Sequence, residues 1–141
     1  MITPVDVSVL KEAVASGNIP IAANFMNQTN TSINHIVDPD DGSSLLHIAV
    51  HNEQTAMAAY LIERGADVNI TDSDLQTPLH IACFVANVEL VSLLIENGAD
   101  VQAEDSDNRI PADLIDDGDT SVEAKEACSE ILEEHGWIFS P

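Results

Sequence analysis

Residues 72–102 read DSDLQTPLHIACFVANVELVSLLIENGADVQ, and the period hidden in them decides the fold. "TPLHIA" runs from Thr77 to Ala82 and "LLIENGADV" from Leu93 to Val101. The same frame returns one unit earlier and, degraded, one unit later. His47 and His80 are 33 residues apart, Gly65 and Gly98 are 33 apart, and Asp113 stands 33 beyond His80. A fixed period of this length denotes stacked supersecondary units that cover one another rather than a closed core. The functional question then moves from catalytic groups to an exposed binding face.

Within this stretch Asp72 to Gln76 forms a polar turn, and Thr77 is placed to cap a helix that starts at Pro78. Leu79, Ala82 and Cys83 fall on one helical face. After a break at Ala86 and Asn87, a second helix carries Val88, Val91, Leu94 and Ile95 at 3.6-residue spacing, with Gly98 as its left-handed stop. With T-P-L-H-x-A in that frame, the chain resembles the ankyrin repeat family. The resemblance implies an all-α solenoid of stacked helix-turn-helix units with finger-like turns. At 141 residues a single domain is expected, divided into units at about 3–37, 38–71, 72–104 and 105–137 with a tail at 138–141.

The second unit repeats the pattern through Gly42, Ser44, Leu46, His47 and Ala49, then Leu61, Ile62 and "GADVN" from Gly65 to Asn69. The first survives as Leu10, Ala13, Val14, Gly17 and Asn18, and its spacing implies a short insertion in the polar stretch 27–34. The fourth holds "RIPADLI" from Arg109 to Ile115 and "ILEEHG" from Ile131 to Gly136. Gly136 follows Gly98 by 38, which predicts five extra residues in the acidic stretch Asp116–Thr120, with Thr120 and Glu123 at capping-box spacing. Trp137 is placed to fold back on Ile131 or Leu132 as a cap; an exposed Trp137–Phe139 anchor is the alternative.

Composition narrows the partners. Twenty-five acidic residues face four basic ones, a formal net charge of −21. Such a field repels nucleic acid and anionic membranes and favours basic partners; the alternative is that it only solubilises an elongated surface or suits high salt. Only 4% of residues are aromatic, so small and aliphatic side chains must pack the helices. Two isolated cysteines and the lack of a signal-like or membrane-spanning run point to the cytoplasm, with the nucleus as the alternative. A monomer without cofactor or metal is expected.

The acidic turns stack along one edge at about 10 Å per unit, near one Debye length, so their potentials partly add. Asp72 and Asp74 precede unit three, and Asp105 and Asp107 precede unit four. Leu75 stands where a turn glycine is usual and offers an apolar fingertip. By the family frame, Ile48, Ile81 and Leu114 occupy the variable position after the histidine, and His51, Asn52, Phe84 and Val85 follow one turn later; all but Leu114 and Asn52 join Leu75 and these four aspartates. Together these ten residues form the candidate partner surface. His47 and His80 match the family histidine that bridges neighbouring fingers by hydrogen bonds, and at Asp113 that ladder must change. The resemblance also marks Asn69 as a position that asparaginyl hydroxylases modify.

Competing chemistry finds little support. His47 and His51 have metal-ligand spacing but lack a third ligand, and the twelve-residue calcium loop with its terminal Glu is absent. No phosphate loop or nucleophile–base pair is present, so no enzyme is expected. The expected function is a protein-interaction module presenting an acidic-rimmed apolar groove to a basic segment. A small inhibitor covering a kinase or transcription-factor surface is the alternative.

Overall fold

The computed structural model describes residues 4–35 and 38–136. Its helices pair along the chain: α1 (Pro4–Ala15) with α2 (Ile19–Thr29), α3 (Leu45–His51) with α4 (Thr55–Glu63), and α5 (Pro78–Phe84) with α6 (Val88–Glu96). A short 3-10 turn (Pro111–Leu114) precedes α7 (Val122–Glu134), and no strand occurs among the described residues. The inner helices stack α1 on α3 on α5 on the 3-10 turn, while α4, α6 and α7 stack behind them. This is the stacked, all-helical architecture the period implies.

Local chemistry sets each helix start. Ser44 and Thr77 cap α3 and α5 by accepting the N–H of His47 and His80, and each histidine Nδ1 accepts the cap residue's N–H in return, at 3.2 Å and 3.1 Å. That is a capping box with imidazole in place of the usual carboxylate. Asn87 Oδ1 caps α6 through the Leu90 N–H. Behind the helices, Gly65 and Gly98 adopt φ of 95° and 93°, the left-handed region that ends a helix without a Cβ penalty. Between layers the core is aliphatic: Leu46, Val50, Leu61, Leu79, Leu90 and Leu94 are all buried, with no Phe, Tyr or Trp among the fully buried of the described residues. Small Ala49, Ala58 and Ala82 let the helices approach closely.

The fourth unit departs from the expected layout. Asn87 and Ser121, the caps of α6 and α7, are 34 apart, so only one extra residue precedes α7. The other four lie inside α7 itself, which runs 13 residues against nine in α6. An added turn of about 3.6 residues leaves the buried face unchanged, so the helix absorbs the length without disturbing the stack. The cap is Ser121, which accepts the Ala124 N–H at 3.3 Å, and not Thr120. Displaced by one position, Thr120 keeps a buried hydroxyl with no partner among the described residues. In unit one, Asn18 and Gln54 are 36 apart: α2, at 11 residues against nine in α4, takes two of the three extra residues, and one follows it. Trp137 and Phe139 lie outside the described residues.

Candidate functional site

Each finger is a hairpin held by its first aspartate. Asp72 Oδ1 accepts the N–H groups of Asp74 and Gln76, both at 2.9 Å, and Asp105 Oδ1 accepts those of Asp107 and Arg109 at 2.9 Å and 3.0 Å. Asp38 begins the same turn through the Asp40 N–H. The fingers then join edge to edge, with the Ser73 N–H donating to the Asp41 carbonyl and the Ser106 N–H to that of Asp74. His47 Nε2 donates to the Gln76 carbonyl and His80 Nε2 to that of Arg109, both at 2.9 Å. A carbonyl can only accept, so Nε2 is the donor in both rings, while Nδ1 accepts the cap N–H. Each histidine therefore ties its own helix start to the next finger. Among the described residues, no group of three His, Cys, Asp or Glu is placed to hold a metal ion.

Between fingers and inner helices lies a concave groove made of two adjoining depressions, each about 280 Å³. One spans units two and three, with Ile48, His51 and Ile81 beneath Asp38, Asp41, Asp72 and Asp74. The other spans units three and four, with Ile81, Phe84 and Leu114 beside His51, Arg109 and Asp117. Its far end is set by the loop after the 3-10 turn. Gly118 packs so tightly on α5 that a Cβ there would collide with the Phe84 carbonyl oxygen.

The structure thus brings Ile48, His51, Asp72, Asp74, Ile81 and Phe84 to one surface. Phe84 is 44% exposed, unusual for a ring in a chain with so few. Leu75 sits apart on its fingertip, half exposed at φ 57°, a left-handed conformation costly for a side chain with a Cβ. Val85 caps the C-terminus of α5, half-buried, and lines neither depression. Asp105 is only 4% exposed, so the structure puts it inside its finger and not on the surface. Asp107 is exposed but shares Arg109 with Asp105 and Asp117, at 3.4, 3.2 and 3.2 Å. Sequence reasoning missed Gln76, Arg109 and Asp117. A signal for Asp117 exists, since it stands 33 beyond Phe84.

Charge is neutralised unevenly. Lys11 pairs with Asp38 at 2.6 Å, and that hydrogen bond, with the Asp40 N–H, holds the Asp38 carboxyl below the usual range. Burial alone would raise Asp105, but the N–H groups of Arg109 and Asp107 and the guanidinium outweigh it and leave the pKa lowered. Arg64 lies over the Tyr60 ring on the opposite face, 5.1 Å from its centroid. Asp41 and Asp74 have no cation partner among the described residues. Burial lowers the pKa of His47, against the raising effect of the Gln76 carbonyl and of Asp72 and Asp41. Cys83 and Cys128 are buried thiols whose pKa values burial raises, so neither is a ready nucleophile.

A second row of bonds runs along the opposite edge. The Asp67 N–H donates to Asn34 Oδ1 at 2.8 Å, and Gln102 Nε2 to the Gly136 carbonyl at 3.2 Å. Between them Asn69 accepts from the Asp100 N–H at 2.7 Å and donates to the Gly98 carbonyl at 3.1 Å. Its amide is exposed yet engaged at both ends. No helix among the described residues is long and apolar enough to cross a membrane.

The comparisons with known proteins agree with the geometry. A family model described as ankyrin repeats, three copies, matches residues 10–105. No match was found among curated proteins. Repeats of this kind are generally protein–protein interaction modules and typically non-enzymatic. The match ends at the residue that opens the fourth finger, where the histidine ladder also gives way to Asp113. Period, paired helices, bridging histidines and family match converge: the chain belongs to the ankyrin repeat family.

Proposed function

We propose that this chain is a protein-interaction module, working as a monomer in a reducing compartment such as the cytoplasm, whose concave groove holds a basic segment of a partner protein. One observation carries the reading. The apolar floor of Ile48, Ile81 and Phe84 lies beneath carboxylates of which Asp41 and Asp74 lack a cation partner among the described residues. An apolar floor with a charged rim is the layout of an interface whose anchor is desolvated while its rim steers the encounter. Fingers already bonded to one another need little ordering on binding, so less of the interaction is lost to entropy. Asp72 supports this surface by holding its turn, and Asp74 faces the partner. A reaction, a nucleic acid or a membrane has no part in this reading.

Selection of a displayed random-peptide library on the folded protein tests it. Enriched peptides should pair Lys or Arg with an apolar residue, and their binding should weaken as salt rises. Phe84→Ala should cost about 30-fold in affinity, the equivalent of about 2 kcal/mol for a buried aromatic anchor. Peptides that bind Phe84→Ala and Asp41→Asn/Asp74→Asn proteins as tightly as the parent would refute the groove as the binding face.

A further inference from the structure

The groove changes chemical character along its length. Over units two and three its lining holds Asp38, Asp41, Asp72 and Asp74, with His47 and His51 but neither Lys nor Arg. Over units three and four the lining gains the Arg109 guanidinium, one of only four basic residues in the chain, together with Phe84 and Leu114. A ligand cation is attracted to the first depression. In the second it meets Arg109, whose contacts to Asp105, Asp107 and Asp117 already take up the local carboxylates. That depression therefore favours an apolar side chain. Ile81, His51 and Gln76 line both depressions, so the two subsites are continuous and one ligand can span them. The loop at Gly118, pressed on the Phe84 carbonyl, walls the far end and fixes where the apolar subsite stops.

Resting on the groove reading above, we propose that the occupant is an extended peptide carrying one cationic and one apolar side chain about three residues apart. The cation sits among Asp41, Asp72 and Asp74, and the apolar side chain sits on Phe84 against Leu114. The spacing follows from geometry. Neighbouring inner helices lie about 8–10 Å apart, and an extended chain advances about 3.3 Å per residue. A helical ligand rising about 1.5 Å per residue would instead need about six positions between the two groups.

The test is a set of labelled Gly/Ser peptides, each with a single Arg and a single Leu, in both orders. Their separation is stepped from adjacent to about six positions, and each is titrated into the isotopically labelled protein by NMR. Binding should peak at about three positions, near tenfold over the adjacent arrangement, and shift the amide signals of Asp74 and Phe84 together. With Asp74→Asn, exchanging the peptide Arg for Gln should lose most of its effect while the Leu still matters. With Phe84→Ala the dependence should reverse. Both positions are exposed, and the unchanged spectrum elsewhere reports that each variant is folded. A flat spacing profile, a peak at about six positions, or coupling of Phe84 to the Arg overturns the two-subsite proposal while leaving the groove as an interface. Peptides that move no groove signal overturn both.

Discussion

Units three and four share one frame, yet each ends its finger differently. His80 accepts the Thr77 N–H with one ring nitrogen and donates to the Arg109 carbonyl with the other. Asp113, at the same place one period later, accepts the Ile110 N–H at 2.9 Å and has nothing to donate. An imidazole can cap and bridge at once, whereas a carboxylate can only cap. The change from His to Asp therefore falls where the described structure holds no further finger to bridge to. Helix length follows the same division, since α5 is a seven-residue α-helix while its counterpart is a four-residue 3-10 turn. Among the described residues, units two and three therefore make contact on both sides and unit four on one.

Core truncation should expose this contrast most strongly. Leu94 in α6 is packed between layers contacted by α4 and α7, while Leu132 lies in the last helix. Both are fully buried. In urea denaturation Leu94→Ala should cost toward the upper end of about 2–5 kcal/mol and Leu132→Ala toward the lower end. Equal losses would mean that the two ends of the stack are energetically alike. The histidine comparison is next in size. His80→Ala leaves a carbonyl of the next finger and the Thr77 N–H unpaired, so it should cost about 1–3 kcal/mol. Asp113→Ala removes only an exposed cap, worth about 0.5–1 kcal/mol.

Acid should separate the two regions by pH window. In the folded state the pKa of His47 lies below its ordinary 6.5, so the unfolded chain binds that proton first. Its contribution is complete above about pH 6.5 and is lost as pH falls toward the folded value. Asp105 in unit four also has a lowered pKa, so its contribution is present above 3.8 and lost as pH falls further. Stability measured against pH should therefore decline in two stages, and His47→Gln should flatten the first only. The smallest effect lies at the fingertips. Leu75 and Asn108 both hold positive φ, at 57° and 60°, but Asn tolerates that region and Leu does not. Leu75→Gly should stabilise by about 0.5–1 kcal/mol, and Asn108→Gly by less than about 0.5.

The paired helices of units two and three are legible in sequence because caps, periodic leucines and terminal glycines agree with one another. The position of the extra residues in unit four is not, because a glycine-to-glycine count sums length without locating it. A whole helical turn hides easily, since it returns the same face to the core. In the groove, Ile48, His51, Ile81 and Phe84 are legible from their offset to the histidine. Asp72 and Asp74 look alike in composition, yet one holds the turn through two N–H groups and the other faces solvent. Only the backbone path separates those roles. Arg109 is harder still, because its reach to Asp117, beyond the two carboxylates of its own finger, depends on where the loop after the 3-10 turn folds.

The two rows of interunit bonds also make the molecule a short beam. The finger row lies along one edge and the Asn34, Asn69 and Gln102 row along the other, with the leucine layers between them. Widening the groove for a bulky ligand would stretch the finger row and compress the loop row, and the leucine layers would act as the neutral axis. Resistance then comes from bonds of fixed length at the outer edges, where leverage is greatest. The array should flex as one piece about its middle, and the breadth of ligand it admits is limited by the stiffness of its two edges.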